Sequence, residues 1–284
     1  MSLPVTDFGT LFLESYTKSG LAWVQTIGCL FIIYGYFVSN KKFLWKVLLA
    51  HGISGLLGLI IENFFIAKQQ SNKAENWAFL LLINEVNWII HEASTVLYSS
   101  VKLSAIVTNN MHKKILNGIL ISSLVIFALL RLNIGYLRFR DNVTMNPSIA
   151  TAHSYAFLIW GFADLIIFAL LVQNTINLGS QAIDGLLGTL LKSSIPRITI
   201  LVLNTFLIVI LGQLPAPLSV GMNNLNSLAW SIKGTYPIIL MFDMHTTKDM
   251  LLMTQTRLNS SMENTTNYKS QNKSTVNVFG RSDV

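Results

Sequence analysis

Residues 84–95 read Asn84-Glu85-Val86-Asn87-Trp88-Ile89-Ile90-His91-Glu92-Ala93-Ser94-Thr95. The run lies inside a stretch, about 77–107, that otherwise has the length of a helix crossing a hydrocarbon core of roughly 30 Å. Its reading decides the fold. If the stretch crosses the bilayer the chain has seven spans; if it is re-entrant, six. Ionisable groups at membrane depth cost a few kcal/mol and face a bundle interior or a wet cavity. Their spacing fits that placement. Glu85, Trp88, Glu92, Thr95, Ser99 and Lys102 recur at steps of three and four, the period of one helix face. Asn84, Asn87, His91, Ser94 and Tyr98 form the adjoining stripe, while Leu81, Leu82, Ile89, Val96 and Leu103 make the opposite side. A helix so patterned belongs at the centre of a bundle, as the third of seven spans.

Outward from this run the composition agrees. The chain has 284 residues, 52% of them apolar and only 12% charged, with mean hydropathy +0.52. Soluble domains of this size carry roughly twice that charged fraction. The charges stand in islands between apolar runs of span length, and strict alternation is absent, so helices rather than a barrel are expected. The fold class is an all-α membrane protein, a single bundle of seven transmembrane helices, with spans expected at 20–38, 43–67, 77–107, 115–137, 151–176, 188–212 and 223–246. Residues 1–19 form an extracytoplasmic N-terminal segment without the basic region of a cleaved signal peptide. Residues 247–284, rich in Ser, Thr, Asn and Lys, read as a disordered cytosolic tail.

Net charge is +7. The basic residues flank the apolar runs, where they set topology and meet lipid headgroups, so membrane lipids are the expected contact and nucleic acid is not. Lys41, Lys42, Lys46, Lys113 and Lys114 fall on the side of the C-terminal tail. Lys18, Lys68, Lys73, Arg138, Arg140 and the acids Glu75 and Asp141 fall on the other. This bias predicts an N-terminus outside the cytosol, in a multi-pass protein of the plasma membrane or an endomembrane. The sequon Asn142-Val143-Thr144 is then extracytoplasmic and a glycosylation acceptor. Those at Asn259, Asn264 and Asn272 are cytosolic. Cys29 is the only cysteine, which excludes an internal disulfide and a thiolate metal site.

Buried charges pair, and the other spans offer partners: His51 and Glu62 in the second, Arg131 in the fourth, His153 and Asp164 in the fifth, Arg197 in the sixth, Lys233 and Asp243 in the seventh. Glu85 or Glu92 is expected to meet Arg197 or Lys233, whereas Arg131 and Asp243 lie near span ends and are expected to reach the interface. Pro196 and Pro237 should kink the sixth and seventh spans. Gly52, Gly55 and Gly58 with Ser54 give the second span a small-residue ridge for close helix approach, within the bundle or in a homo-oligomer.

Seven spans, an outer N-terminus, a sequon and a Ser/Thr-rich tail resemble heptahelical receptors in organisation. The motifs differ, with Val101-Lys102-Leu103 ending the third span and Thr235-Tyr236-Pro237 in the seventh. Lys233 looks like the retinal-linking lysine of rhodopsins, but Ala229 stands where microbial rhodopsins carry an aspartate. His51, His91, His153 and His245 are spread over four helices, unlike the zinc sites of the hydrolases related to adiponectin receptors. No nucleophile elbow or phosphate loop is present; enzymatic activity, cofactor and metal are therefore not expected. The leading expectation is a receptor-like protein binding a small ligand or ion at Glu85, Asn87, Trp88, His91, Glu92, Thr95, Arg197 and Lys233, with a cytosolic partner at the inner loops and tail. The alternative is a proton- or cation-coupled transporter or channel using Glu85, His91 and Glu92; an intramembrane enzyme or a structural membrane protein carries less weight.

Overall fold

Long apolar stretches propagate helix, and the chain breaks mostly where polar islands intervene and once before Pro237. The computed structural model describes residues 7–39, 43–71, 76–106, 110–177, 186–214 and 219–246. The C-terminal tail, Lys41, Lys42, Lys73 and the Pro215-Ala216-Pro217 connection lie outside the described residues. Among these the structure is all-α: α1 (Phe8–Lys18), α2 (Gly20–Val38), α3 (Phe43–Ser71), α4 (Phe79–Ile106), α5 (Asn110–Asp141), α6 (Pro147–Asn177), α7 (Leu186–Gln213) and α8 (Val220–Gly234), followed by a helical segment over 236–246.

Each helix from α2 onward packs on its neighbour in sequence, and α8 returns to α2, so the helices close a ring. α4 also reaches across to α6. The short connections make successive helices antiparallel. Residues 20, 71, 79, 141, 147, 213 and 220 therefore gather at one end of the bundle, termed here the N-terminal end.

Five helices contain stretches long and apolar enough to cross a membrane: Leu21–Val38, Phe43–Ser71, Asn110–Asp141, Pro147–Gln173 and Ile195–Gln213. Their large side chains point outward. Trp23, Leu30 and Phe37 on α2, Ile121, Val125 and Leu129 on α5, and Leu203 and Ile210 on α7 are exposed. Only 17% of the apolar stretch of α5 is buried within the protein. Charges point inward: Glu85, Glu92, Lys102, Arg131, Arg138, Asp164, Arg197, Lys233 and Asp243 are all buried. A surface this apolar around an interior this charged is the inverse of a soluble domain. The chain is a multi-pass helical membrane protein.

Several expectations need correction. The outer stripe of α4 is Ile83, Val86, Ile90 and Leu97, with Leu82 at its edge. Leu81, Val96 and Leu103 are fully covered, because α3, α5 and α6 surround α4 on most of its circumference. The N-terminal segment contains a helix: Phe8 of α1 packs edge-on against Phe64, 5.2 Å between ring centroids, and Ser15 donates to Asn63 Oδ1 at 2.7 Å. Pro196, where a kink is expected, lies within α7 and does not end it. Pro237 does more than kink its span. It has no N–H for the Lys233 carbonyl, so α8 ends at Gly234 and Thr235 closes it, its N–H bonding Ile232 O and Lys233 O.

The glycine ridge of α3 is consumed within the bundle. A Cβ on Gly55 would meet the Gln25 amide and stand 2.6 Å from His91 Nδ1; one on Gly58 would stand 3.1 Å from the Trp88 ring. α2 and α4 thus bring polar side chains onto bare backbone. Replacing Gly55 by Val should destabilise the folded protein by about 1–3 kcal/mol or prevent its recovery. Gly118→Val, where a Cβ meets nothing within 4 Å, should leave the detergent-phase melting temperature unchanged.

Candidate functional site: a charged cavity beside α4

Along α4 the polar side chains occupy three levels. Near the N-terminal end, Glu85 is fully buried and faces α5, where Arg131, Gly135 and Arg138 share one face by their spacing of four and three. Gly135 makes this possible. A Cβ there would lie 2.9 Å from Glu85 Cγ and 2.9 Å from Leu82 Cδ1, so only glycine lets the carboxylate settle between two guanidiniums. Arg138 NH1 donates to Glu85 Oε1 at 3.0 Å. Arg131 NH2 stands 2.8 Å from Glu85 Oε2, an ionic approach too poorly aligned to count as a hydrogen bond. From α6, His153 presents Nδ1 to Arg131 NH1 at 3.0 Å and Nε2 to Arg138 NH2 at 3.3 Å. From α3, Glu62 reaches Arg138 at 3.6 Å with 23% of its side chain exposed.

Two turns further along, Glu92 meets Lys233 of α8 at 2.5 Å. The ammonium also lies 3.5 Å from the centroid of the Phe157 ring, a cation–π contact in a desolvated site. Trp160 Nε1 donates to the Glu92 carbonyl at 3.3 Å. On the α3 side His51 and His91 form a reciprocal pair. Each Nδ1 reaches the other's backbone carbonyl, at 2.7 and 2.9 Å, and the rings stack with centroids 4.0 Å apart. A carbonyl oxygen only accepts, so both Nδ1 atoms carry a proton.

At the opposite end Asp243 Oδ2 accepts from Lys102 at 2.8 Å and Tyr98 Oη at 2.9 Å, and Arg197 NH1 makes an ionic approach at 3.1 Å without a hydrogen bond. Arg197 also covers the Tyr98 ring, 5.0 Å from its centroid. Ile32, Leu48, Tyr98, Leu240 and Met241 pack into one buried cluster at this level. Below Glu92, therefore, apolar side chains pack around the Asp243 network.

Above it, the interior is open. A cavity of about 320 Å³ is bordered by Glu62, Trp88, Glu92, Arg131, Arg138, His153 and Trp230. Leu21 and Glu62 also border an outer recess of about 450 Å³ that runs under α1 to Glu14 and Lys18. On its inner side the cavity adjoins a void of about 30 Å³ at His91, Glu92 and Lys233, room for a single water. The main cavity lies within the range of about 300–1,000 Å³ used for small ligands. It combines aromatic walls with opposed charges.

Of the residues singled out from sequence, Trp88 and Glu92 border this cavity, and His91 and Lys233 border the void behind it. Glu85 stands behind Arg131 and Arg138. Asn87 donates to Asn84 Oδ1 at 3.2 Å. Thr95 lies 3.4 Å from His51 Nδ1, and Arg197 belongs to the Asp243 network at the far end. Of the expected pairs Glu92–Lys233 forms, while Glu85 pairs with Arg131 and Arg138. Arg131 and Asp243 do not reach the interface; they are 3% and 6% exposed. Arg138, assigned to an outer loop, is buried because α5 runs on to Asp141. Sequence reasoning offered Glu62, Arg131 and His153 only as charge partners and did not bring Arg138 to the site. The Arg-x-x-x-Gly-x-x-Arg spacing was the available signal, a glycine between two cations on one helix face. Asn142 caps α5 in the left-handed region at φ 52°, with its carbonyl held by Gln69 at 2.8 Å. Among the described residues no group of His, Cys, Asp or Glu is arranged to hold a metal.

No family model, curated protein or solved structure matches the chain. The site therefore stands on its geometry.

Removing one member of a buried pair strands the other charge, at a cost of about 3–5 kcal/mol. Glu85→Gln, which strands two arginines, should lower the unfolding free energy more than Glu92→Gln. Glu92→Gln combined with Lys233→Gln should be more stable than the sum of the single changes implies, with a coupling of about 1–3 kcal/mol in a double-mutant cycle.

Proposed function

We propose that the chain is a receptor-like seven-span membrane protein that binds a small ligand in the cavity beside α4. The observation that carries this reading is a cavity of about 320 Å³, bordered by Glu92, Arg131, Arg138 and His153 between Trp88 and Trp230, inside a bundle of otherwise apolar exterior. The ring of helices supports the span count. α4 and the paired segments 220–234 and 236–246 take their places in it alongside the five apolar helices. α4 lacks only their apolarity, which its polar face explains, and α8 is short because the helix breaks before Pro237.

The cavity lies in the N-terminal half of the bundle and the Asp243 network in the C-terminal half. With the N-terminus outside, as the flanking lysines favour, the cavity takes ligand from the extracytoplasmic side, and Asn142 lies on that side as a glycan acceptor. The helix break at Gly234–Thr235 separates Lys233, on the cavity side, from Asp243, on the cytosolic side. A ligand that binds one arrangement of this joint better than another would shift its population and alter the Asp243 network from a distance. Inner loops and tail are then the contacts for a cytosolic partner.

A second reading is favoured by the void at His91, Glu92 and Lys233, which extends the cavity by one water towards the centre of the bundle. Protons could enter there in a transporter. Proteoliposomes separate the two. A receptor should hold a pH gradient as long as empty vesicles do, and a leak reduced by Glu92→Gln would transfer the function to the transporter reading. Access is tested with Asn226→Cys in a Cys29→Ser background. A membrane-impermeant thiol reagent should label it in intact cells, since Asn226 borders the cavity. Labelling only after permeabilisation would reverse the orientation; none in either condition would remove the open cavity.

A further inference from the structure

The hydrogen-bonding groups on the cavity wall do not balance. Arg131 and Arg138 bring ten guanidinium N–H groups between them, and the buried acceptor that answers them is the carboxylate of Glu85. Nε of Arg131 and Nε of Arg138 have no hydrogen-bond partner, although the two residues are each 3% exposed. His153 cannot make up the difference. Both its nitrogens face guanidinium groups, and an imidazole accepts through one nitrogen at most, so at least one of these contacts sets a donor against a donor.

The charges balance only when Glu62 is included. Glu92 and Lys233 neutralise each other, which leaves two guanidiniums against Glu85. The remaining positive charge is met by Glu62, at 3.6 Å from Arg138 and 23% exposed. Glu62 borders both the cavity and the outer recess, so its side chain can turn from the arginine into the recess without leaving its helix. Two buried guanidiniums on a cavity wall, one of them guarded by a loosely held carboxylate, are a site for an incoming acceptor anion. Trp88, Phe157 and Trp230 line the same cavity, with the Trp88 ring 5.9 Å from the Arg131 guanidinium, and such rings suit a flat apolar body.

We propose that the cavity beside α4 takes a small organic carboxylate with an aromatic or flat apolar body. Its carboxylate binds Arg138 and Arg131 in place of Glu62, and its body lies between Trp88 and Trp230. This rests on the ligand-cavity reading above and adds the chemical class of the ligand.

The test uses the purified full chain with phenylacetate, its neutral amide phenylacetamide, the amine phenethylamine, and chloride at equal ionic strength. Thermal unfolding and tryptophan fluorescence are the readouts. Phenylacetate should raise the melting temperature and alter the fluorescence, and the amide and amine should do neither. Glu62→Gln should strengthen phenylacetate binding about tenfold by removing the internal competitor, a gain that a misfolded variant cannot give. Arg138→Gln should abolish binding. Asn226→Trp, which fills the cavity, should abolish it too. Preference for the amide or amine, lost on Asn226→Trp, would overturn the anion class and leave the ligand cavity standing. Equal stabilisation by chloride, lost on Arg138→Gln, would replace the organic ligand by a structural halide. Absence of any response to all four probes, or unchanged phenylacetate affinity in Glu62→Gln, would overturn the proposal, while impermeant labelling of Asn226→Cys decides separately whether the cavity is open.

Discussion

A carboxylate with no exposed surface, set among helices whose outer faces are apolar, exists as an ion only where cations surround it, and at Glu85 two do. Arg131 and Arg138 reach it from one face of α5, and the absence of a side chain at Gly135 gives the carboxylate its place between them. This contact dictates how close α4 and α5 lie and at which rotation. It also brings both guanidiniums to the cavity wall, where they meet His153 of α6 and Glu62 of α3. Four helices thus depend for their mutual placement on one acidic residue.

Lipid tails are as apolar as leucine, so apolar burial does little to tell one helix from another inside a bilayer. Packing against small residues and polar contacts make the selection. Here the polar contacts are distributed by depth. The arginine pair ties α4 to α5, the Glu92–Lys233 pair ties α4 to α8, and Asp243 ties α4 to α7 and the last helical segment. The His51–His91 pair and the glycine ridge tie α4 to α3. α4 takes part at every level, which is why its face is polar along nearly its whole length. The helix with buried charges at every level is the one that organises the others.

The two ends of the bundle hold different things. Around Asp243, tyrosine, methionine and leucine pack into one buried cluster, whereas around Arg138 aromatic rings line a cavity. The joint at Gly234–Thr235 lies between the two. The segments on either side of the joint are held by different ion pairs, Lys233 with Glu92 and Asp243 with Lys102 and Arg197.

Much of the architecture was legible from local information. Apolar runs of span length, interrupted by lysine-rich islands, placed the helices to within a few residues, and the three-and-four spacing of Glu85, Glu92 and Lys102 marked α4 as central. α1 was missed because a short helix gains its stability from packing on Phe64 and Asn63, which no local pattern announces. The position of the α5 terminus was missed as well. Arg138 reads as an interfacial residue unless Glu85 is known to lie opposite. Pairing was the part that sequence could not supply. Glu85, Glu92 and Asp243 all had several cations within plausible depth, and the choice among them depends on helix rotation and lateral order, which are set by contacts between residues far apart in the chain. The sequence by itself determined that charges lie within a bundle of helices, because apolar length and periodicity are properties of each segment alone. Which charge meets which, and where a cavity is left, was decided only by the tertiary structure, since both depend on the distances between helices.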